Sequence, residues 1–307
     1  MAKRELIDYF GSLYMRGADV RLNEPLKWHT TIRIGGPARV FVSPYSCESL
    51  SEIIGFVRSE RIPYRIIGGG SNVVCPDRYE GVVVSTRNLN LVKSAGERIF
   101  VEAGASVNSL LWHCMSKGLT GMEFLTGLPG SIGGAVLMNA GAFGGEIGER
   151  VTKLLYLDDK SRIIEIDGKS AGFSYRNSIF RSGDGIVVGT EFSLERGEKS
   201  EIRRRMTEIL GRRLEKQPLD EPSAGSVFMR PRPDFYVGST IEKLGLKSLR
   251  VGGAEVSAKH AGFIVNKQNA SQSDVLTLVE IVKNRVKEAT GVDLRTEIEI
   301  WKEVNNG

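Results

Sequence analysis

The spacing of apolar positions changes several times along this chain, and each change predicts an element. Val275, Leu278, Val279, Val282 and Val286 recur three or four residues apart, so one face of a helix from Ser271 to Thr290 is buried. Ser271 with Asp274 imitates a capping box, with Asp in place of the usual Glu or Gln, and Gly291 supplies the stop. Similar spacing predicts helices over Glu5–Met15, Cys47–Arg61 and Val107–Lys117. In Glu201–Lys216 the apolar face is Ile202, Met206, Ile209, Leu210 and Leu214, which leaves the arginines to cover the wet side. Short apolar or alternating runs predict strands at Pro63–Ile67, Gly81–Thr86, Ile99–Ala103, Val151–Leu157, Ile163–Ile166 and Gly185–Leu194, while Leu26–Val42 is extended with a break at Gly35-Gly36-Pro37.

The stretch Val292–Ile300 alternates by parity. Val292, Leu294, Ile298 and Ile300 face one way, and Asp293, Arg295, Glu297 and Glu299 the other; taken alone, that polar side is a solvated sheet surface. A strand–helix–strand start followed by runs of strands predicts an α+β fold rather than strict βαβ alternation. A break at Arg196-Gly-Glu-Lys-Ser200 divides the chain into 1–197 and 198–307.

One segment does not follow either period. Gly121–Gly148 is rich in glycine, yet Leu128, Ile132, Val136, Leu137, Met138 and Phe143 are threaded through it, so it is not a flexible linker. Glycine allows close backbone approach and positive φ, and N–H groups at a helix start suit phosphate, so this reads as backbone folded around a large phosphate-bearing ligand. Gly68–Asn72 and Thr30–Ala38 are two further loops of the same character. None is a dinucleotide fingerprint or a P-loop: the third glycine is missing after Gly68-x-Gly70, and no Gly-Lys-Ser/Thr closes the spacing. Singly, each is more often a tight turn; together they favour one extended ligand.

Composition narrows the class. With 307 residues, 41% hydrophobic and 26% charged, the chain is long enough for two or three domains of an ordinary soluble protein. No apolar run approaches a membrane span, and the charged N-terminus is no signal peptide, which predicts a cytoplasmic location. The net charge of +5 is spread along the chain, so a nucleic-acid partner is not expected. Cys47, Cys75 and Cys114 fit neither a disulfide framework nor a metal site. No interface patch is legible, and oligomeric state stays open.

Seven separated motifs resemble one family in order. Thr30-Thr-x-Arg-Ile-Gly-Gly-Pro-Ala38, Ile67-Gly-Gly-Gly-Ser-Asn-Val73 and Gly121–Gly144 are similar to the flavin-binding segments of UDP-N-acetylenolpyruvoylglucosamine reductases. Phe173-Ser-Tyr-Arg-Asn-Ser178, Pro222-Ser-Ala-Gly-Ser-Val-Phe228 and Arg250–Asn266 resemble the rest, and the match closes with Leu294-Arg-Thr-Glu-Ile298. The resemblance implies an FAD-binding domain of the vanillyl-alcohol-oxidase (PCMH) type in 1–197, in two subdomains, and a substrate-binding domain in 198–307. It implies noncovalent FAD, since neither glycine loop holds a His or Cys, although His29 lies close to the first motif.

Carried over residue by residue, the flavin contacts are Ile34 and Gly35; Gly68, Gly69, Gly70, Ser71 and Asn72; Thr126, Pro129, Gly130, Ser131, Gly133 and Gly134; and Asn139, Ala140 and Gly141. The family reaction implies NADPH as reductant and an enolpyruvyl nucleotide sugar as substrate, with UDP-N-acetylmuramate as the product for cell-wall synthesis. Arg176 would hold the carboxylate and stabilise the enolate, Ser226 would donate the proton, and Glu297, rather than its same-face rival Glu299, would assist. Arg230, Lys259, His260 and Asn266 are the substrate-binding candidates, and no metal is expected. The chain departs from the family at Met229-Arg230, where a lysine is usual one position earlier. Its short run from Phe180 to Gly185 resembles the second type of these enzymes, which lacks an inserted tyrosine loop. A same-fold oxidase or a non-catalytic flavin module are the rival readings.

Overall fold

The helix predicted from the valine stripe is present in a computed structural model that describes residues 9–13, 17–183 and 185–303. It runs Gln272–Thr290 and buries Val275, Leu278, Val279, Val282 and Val286. Asp proves a competent substitute in the capping box: the Ser271 side chain accepts the Asp274 amide at 3.1 Å, and the Asp274 carboxylate accepts the Ser271 amide at 2.9 Å. Gly291 ends the helix in the left-handed region at φ 71°. The same carboxylate also accepts the Gly253 amide at 3.2 Å, and a Cβ on Gly252 would lie 2.3 Å from Asp274 Oδ1. Gly252 is therefore required by the approach of the aspartate, and Gly253 by the Gln268 carbonyl, 2.2 Å from where its Cβ would lie.

The chain divides into two units. The first takes the chain up to Asn23, then Arg39–Gly69 and Gly81–Gly211; the second takes Glu24–Ala38, Gly70–Glu80 and the chain from Arg212 onward. Two segments of the N-terminal half thus belong to the second unit.

In the first unit a five-stranded antiparallel sheet has the order Ile163–Asp167, Val151–Leu157, Ile186–Ser193, Arg98–Glu102, Val92–Ala95. The helix Val107–Lys117, capped by Ser106 and ended by Gly118 at φ 63°, buries Leu110, Leu111 and Cys114 in one core with Ile99, Val101 and Phe192. A second sheet has the order Ala18–Pro25, Pro37–Pro44, Tyr79–Ser85, Tyr64–Ile67, the last two parallel. The helix Cys47–Ser59 brings Leu50, Ile53, Ile54 and Val57 into another core, with Val40, Val42, Val82 and Val84. Ala18–Pro25 and Val92–Ala95 were not foreseen; each is a sheet edge, half-exposed, and carries little apolar signal. Of the predicted helix Glu5–Met15, residues 9–13 are helical and the rest lies outside the described residues.

In the second unit Ser223–Ser226, Phe263–Asn266, Ala254–Val256 and Arg250–Val251 form an antiparallel sheet, and the closing helix shares its core with Ile32, Ile34 and Val74 from the early chain. Val292–Ile300 is not one strand. Only Glu299–Ile300 is, pairing in parallel with Val73–Val74, while Thr296 makes a lone bridge to Phe228. Leu294 and Ile298 are nevertheless buried, so the parity was right about burial and wrong about the ladder.

The helix Lys199–Lys216 also departs from expectation. Ile202 is buried, but Leu210 and Leu214 are 38% and 52% exposed, and Arg213 is 5% exposed. The inward stripe is Ile202, Met206, Ile209, Arg213, at spacings of four, three and four. An arginine, with its long apolar stem, continues the face that the leucines were expected to form.

Asp274→Ala removes the acceptor of two backbone amides and should lower stability by about 1–2 kcal/mol, seen as a lower denaturant midpoint with unchanged slope. The Ser271 amide, with that of Gly253, holds the Asp274 carboxyl below the usual carboxylate range. Its contribution is therefore complete above pH about 4 and is lost as pH falls through the lowered native value, so the difference between wild type and variant should shrink on acidification.

Candidate active site

In the first unit the two glycine loops meet each other. A Cβ on Gly68 would lie 2.1 Å from Ser131 Oγ, and one on Gly69 would lie 2.5 Å from the Gly130 Cα. Gly133 is equally constrained, 2.8 Å from the Ala103 Cβ. The short helix Ile132–Leu137 begins at this junction with Ser131 as its cap, accepting the Gly134 amide at 3.4 Å. Its first amides are already used: Ile132 N–H donates to Ala105 O at 2.9 Å and Gly133 N–H to Ala103 O at 2.8 Å. A phosphate held by this helix start, as the sequence suggested, is thus excluded at those amides. The N–H groups of Gly69, Gly130 and Ser131 instead donate to no acceptor among the described residues. Side-chain-free backbone carrying unspent donors is chemistry that fits a flavin dinucleotide's diphosphate.

The remaining flavin candidates of this unit line the chain that follows. Thr126 is buried and Pro129 exposed. Ala140 N–H donates to Ala135 O at 2.8 Å, and Gly141 pairs with Glu146 in a small hairpin. Asn139 is 1% exposed with φ 42°, and its carboxamide bonds Glu146, Gly148 and Ser174.

Arg176 also lies in this unit, on the turn Ser174–Asn177, at φ 53°. Its Nη1 donates to Gly141 O at 3.2 Å, and its guanidinium stands 5.5 Å from the ring of Tyr175. Ser178, fully buried, anchors the end of the turn by donating to Leu137 O at 2.9 Å.

In the second unit Ile34 is a core residue rather than a loop tip, and Gly35, at φ 133°, would place a Cβ 2.6 Å from the Cys75 Cβ. Gly70 is pressed against the early motif: its Cβ would be 1.9 Å from His29 O, and its carbonyl accepts the Thr31 amide at 3.0 Å. The amides of Gly70 and Ser71 have no acceptor among the described residues. Asn72 donates from Nδ2 to Glu297 O at 3.1 Å, and its own carbonyl accepts the Glu299 amide at 2.8 Å. The nearby His29 is buried with Nε2 2.8 Å from the Glu24 carboxylate. Burial pushes the Cys75 thiol well above its ordinary value, away from nucleophilic character.

The structure brings Ser226 and Glu297 into adjacent backbone. Glu297 N–H donates to Val227 O at 2.8 Å, and Met229 N–H donates to Arg295 O at 2.9 Å. Both residues are half-buried. Glu299, its rival, is exposed and accepts from the Trp301 indole at 3.1 Å.

The four substrate candidates are placed differently. Arg230 is exposed, its guanidinium 4.8 Å over the ring of Tyr236. Lys259 Nζ donates to Leu214 O at 2.6 Å, capping the end of the basic helix. Asn266 donates to Ile32 O and Arg33 O and accepts the Ala270 amide, so its carboxamide binds protein. His260 accepts the Gly262 amide on Nδ1 at 3.0 Å, which puts the proton of the neutral ring on Nε2, and burial lowers its pKa. Sequence reasoning missed Arg213, an arginine at helical spacing on an apolar stripe, and Tyr236, exposed beside Arg230. No group of residues suited to a metal ion occurs among the described residues.

Comparison with known proteins identifies both parts of the chain. Residues 38–167 match the family model of an FAD binding domain, and residues 217–301 match that of the UDP-N-acetylenolpyruvoylglucosamine reductase C-terminal domain. The UDP-N-acetylenolpyruvoylglucosamine reductase of Pseudothermotoga lettingae is 46% identical, over 92% of this chain and 98% of that protein. The protein of the same name from Caldanaerobacter subterraneus is 45% identical, over 96% and 97%. The crystal structure of the corresponding reductase from Thermus caldophilus superposes with a TM-score of 0.78 at 34% identity, covering 93% of this chain and 99% of that one. Matched over more than nine-tenths of its length by such relatives, the chain belongs to the UDP-N-acetylenolpyruvoylglucosamine reductase family of FAD-dependent oxidoreductases.

Proposed function

We propose that this protein reduces UDP-N-acetylglucosamine enolpyruvate to UDP-N-acetylmuramate, with NADPH as the reductant and FAD bound noncovalently. The observation that carries the reading is the pairing of 227–229 with 295–297, which sets a half-buried serine and a half-buried glutamate one register step apart. The unspent amides of Gly69, Gly130 and Ser131 in the first unit are the donors that would hold the cofactor's diphosphate. FAD, when bound, supplies the two-electron carrier between NADPH and the enolpyruvyl methylene carbon.

The chain's own residues handle charge and the proton. Hydride addition at the methylene carbon moves an electron pair toward the substrate carboxylate, making an enolate. Arg176 meets that charge: a guanidinium stays protonated and forks onto two carboxylate oxygens. Ser226 delivers its hydroxyl proton to the ether-bearing carbon. A serine is a weak acid, so it needs a charged partner, and Glu297, one register step away across the backbone pairing, is the carboxylate assigned to polarise the enolate side and support the transfer. Arg230, stacked on Tyr236, supplies the cation that Met229 does not. Between Ser178 and Ile186 the described residues hold one element, the four-residue helix Ile179–Ser182, and this short run supports the type without a tyrosine loop. No helix is long and apolar enough to cross a membrane among the described residues, in keeping with action on a dissolved nucleotide sugar in the cytoplasm.

Two outcomes test these roles in an anaerobic two-stage experiment, with NADPH added first and the enolpyruvyl substrate second. Ser226→Ala should bleach the flavin at the wild-type rate, then slow its re-oxidation by substrate by about 10²–10⁴-fold, the usual worth of a general acid. Arg176→Lys should leave the first stage intact and slow the second by about 10²–10³-fold, because a point charge does not replace a fork at a developing enolate. Wild-type flavin that stays bleached with substrate and recovers only in oxygen would overturn the reductase and favour an oxidase.

A further inference from the structure

Asn139 is matched to the flavin by the resemblance, yet both of its donor hydrogens are spent on the protein. Nδ2 donates to the Glu146 carboxylate at 2.6 Å and to the Ser174 carbonyl at 3.0 Å, and Oδ1 accepts the Gly148 amide at 3.0 Å. The residue is 1% exposed, so these bonds are sheltered from water. Its φ of 42° is one that asparagine tolerates better than most side chains.

Each partner leads to Arg176. Ser174 is the first residue of the turn that carries the arginine: it bridges Asn177 by a reciprocal pair of backbone bonds of 3.1 and 3.0 Å. Glu146 pairs with Gly141, and it is the Gly141 carbonyl that accepts Arg176 Nη1. One carboxamide therefore ties down both the backbone turn under Arg176 and the hairpin its guanidinium grips. The turn needs such a tie: Arg176 sits at φ 53° without being a glycine, a conformation that persists only when its surroundings hold it, and the Arg181 guanidinium also donates to its carbonyl.

We propose that Asn139 is a positioning residue for Arg176, holding turn and guanidinium in register for the substrate carboxylate instead of contacting the flavin through its side chain. The proposal rests on the role given to Arg176 above. A guanidinium fork gains over a point charge only when its base is fixed, so loosening Ser174 should be felt at the carboxylate and not at the flavin.

The test uses Asn139→Gly, which keeps the positive φ available and deletes all three bonds, and Asn139→Asp, which keeps the acceptor and loses both donors. Three readouts are taken on the flavin-loaded protein: flavin content and reduction by NADPH, re-oxidation by the enolpyruvyl substrate, and the dissociation constant of UDP-N-acetylmuramate by calorimetry. The expected result is normal flavin content and reduction, with re-oxidation slowed and product binding weakened by about 10- to 100-fold, the cost of a small misplacement. In an Arg176→Ala background, Asn139→Gly should then change neither quantity further, since the two residues act as one unit. Should Asn139→Gly not fold, Asn139→Asp alone is expected to show the same split. Loss of flavin from either variant, or an undiminished effect in the Arg176→Ala background, would overturn the proposal. If Arg176→Ala slows re-oxidation and neither Asn139 variant does, this inference fails and the function stands. If Arg176→Ala has no effect, the role of Arg176 fails and the inference with it.

Discussion

Backbone approaching backbone at distances that exclude a side chain is the constraint on which the site depends. Gly69 against Gly130 in the first unit, and Gly70 against the His29 carbonyl in the second, leave no volume for a methyl group. The two glycines are successive, and the chain leaves one unit and enters the other between them. Each contact has two effects. It fixes a loop that glycine alone would leave mobile, and it turns consecutive amides away from internal acceptors. The entropy that glycine loses on folding is offset by these contacts, and the unspent donors are what an anionic cofactor group can use.

Local chemistry was therefore legible, while the protein contacts that share those glycines were not. The helix Gln272–Thr290 could be read residue by residue, because its stripe, cap and stop are encoded within its own sequence. The glycine loops were also recognisable, but as backbone wrapped around a ligand. Several of those glycines also answer to protein atoms: Gly133 to Ala103, Gly70 to His29, Gly35 to Cys75. Nothing in the spacing of a loop says which close neighbour required it. The amides at the start of Ile132–Leu137 make the same point, for their acceptors Ala103 and Ala105 come from a different stretch of chain.

Where the prediction diverged, a tertiary partner decided. Val292–Ile300 alternates as a strand should, yet Val73–Val74 is too short to pair with more than its last two residues. Along Lys199–Lys216, counting leucines as apolar and arginines as polar exchanged the roles of Arg213 and Leu214. Asparagines were the least legible. Asn72 holds the Glu297 carbonyl, Asn266 holds the carbonyls of Ile32 and Arg33, and Asn139 holds that of Ser174. All three sit in recognisable motifs, and all three use their carboxamides to staple distant backbone. A motif residue can thus spend its side chain on the protein's own backbone.

The order in which the second unit's pieces leave the ribosome adds a consequence in time. Asn72 and Glu297, joined by a hydrogen bond, are 225 residues apart. At ordinary synthesis rates of about 5–20 residues per second, the early segment waits roughly ten to forty-five seconds for its partner. During that interval Ile32, Ile34 and Val74 have no core to enter, because the residues that bury them have not been made. The first unit meanwhile has nearly all of its chain by Gly211 and can mature around the gap. Nascent chains of this protein thus carry an unprotected apolar segment, of the kind holdase chaperones are suited to shield, until the residues after Gly211 emerge.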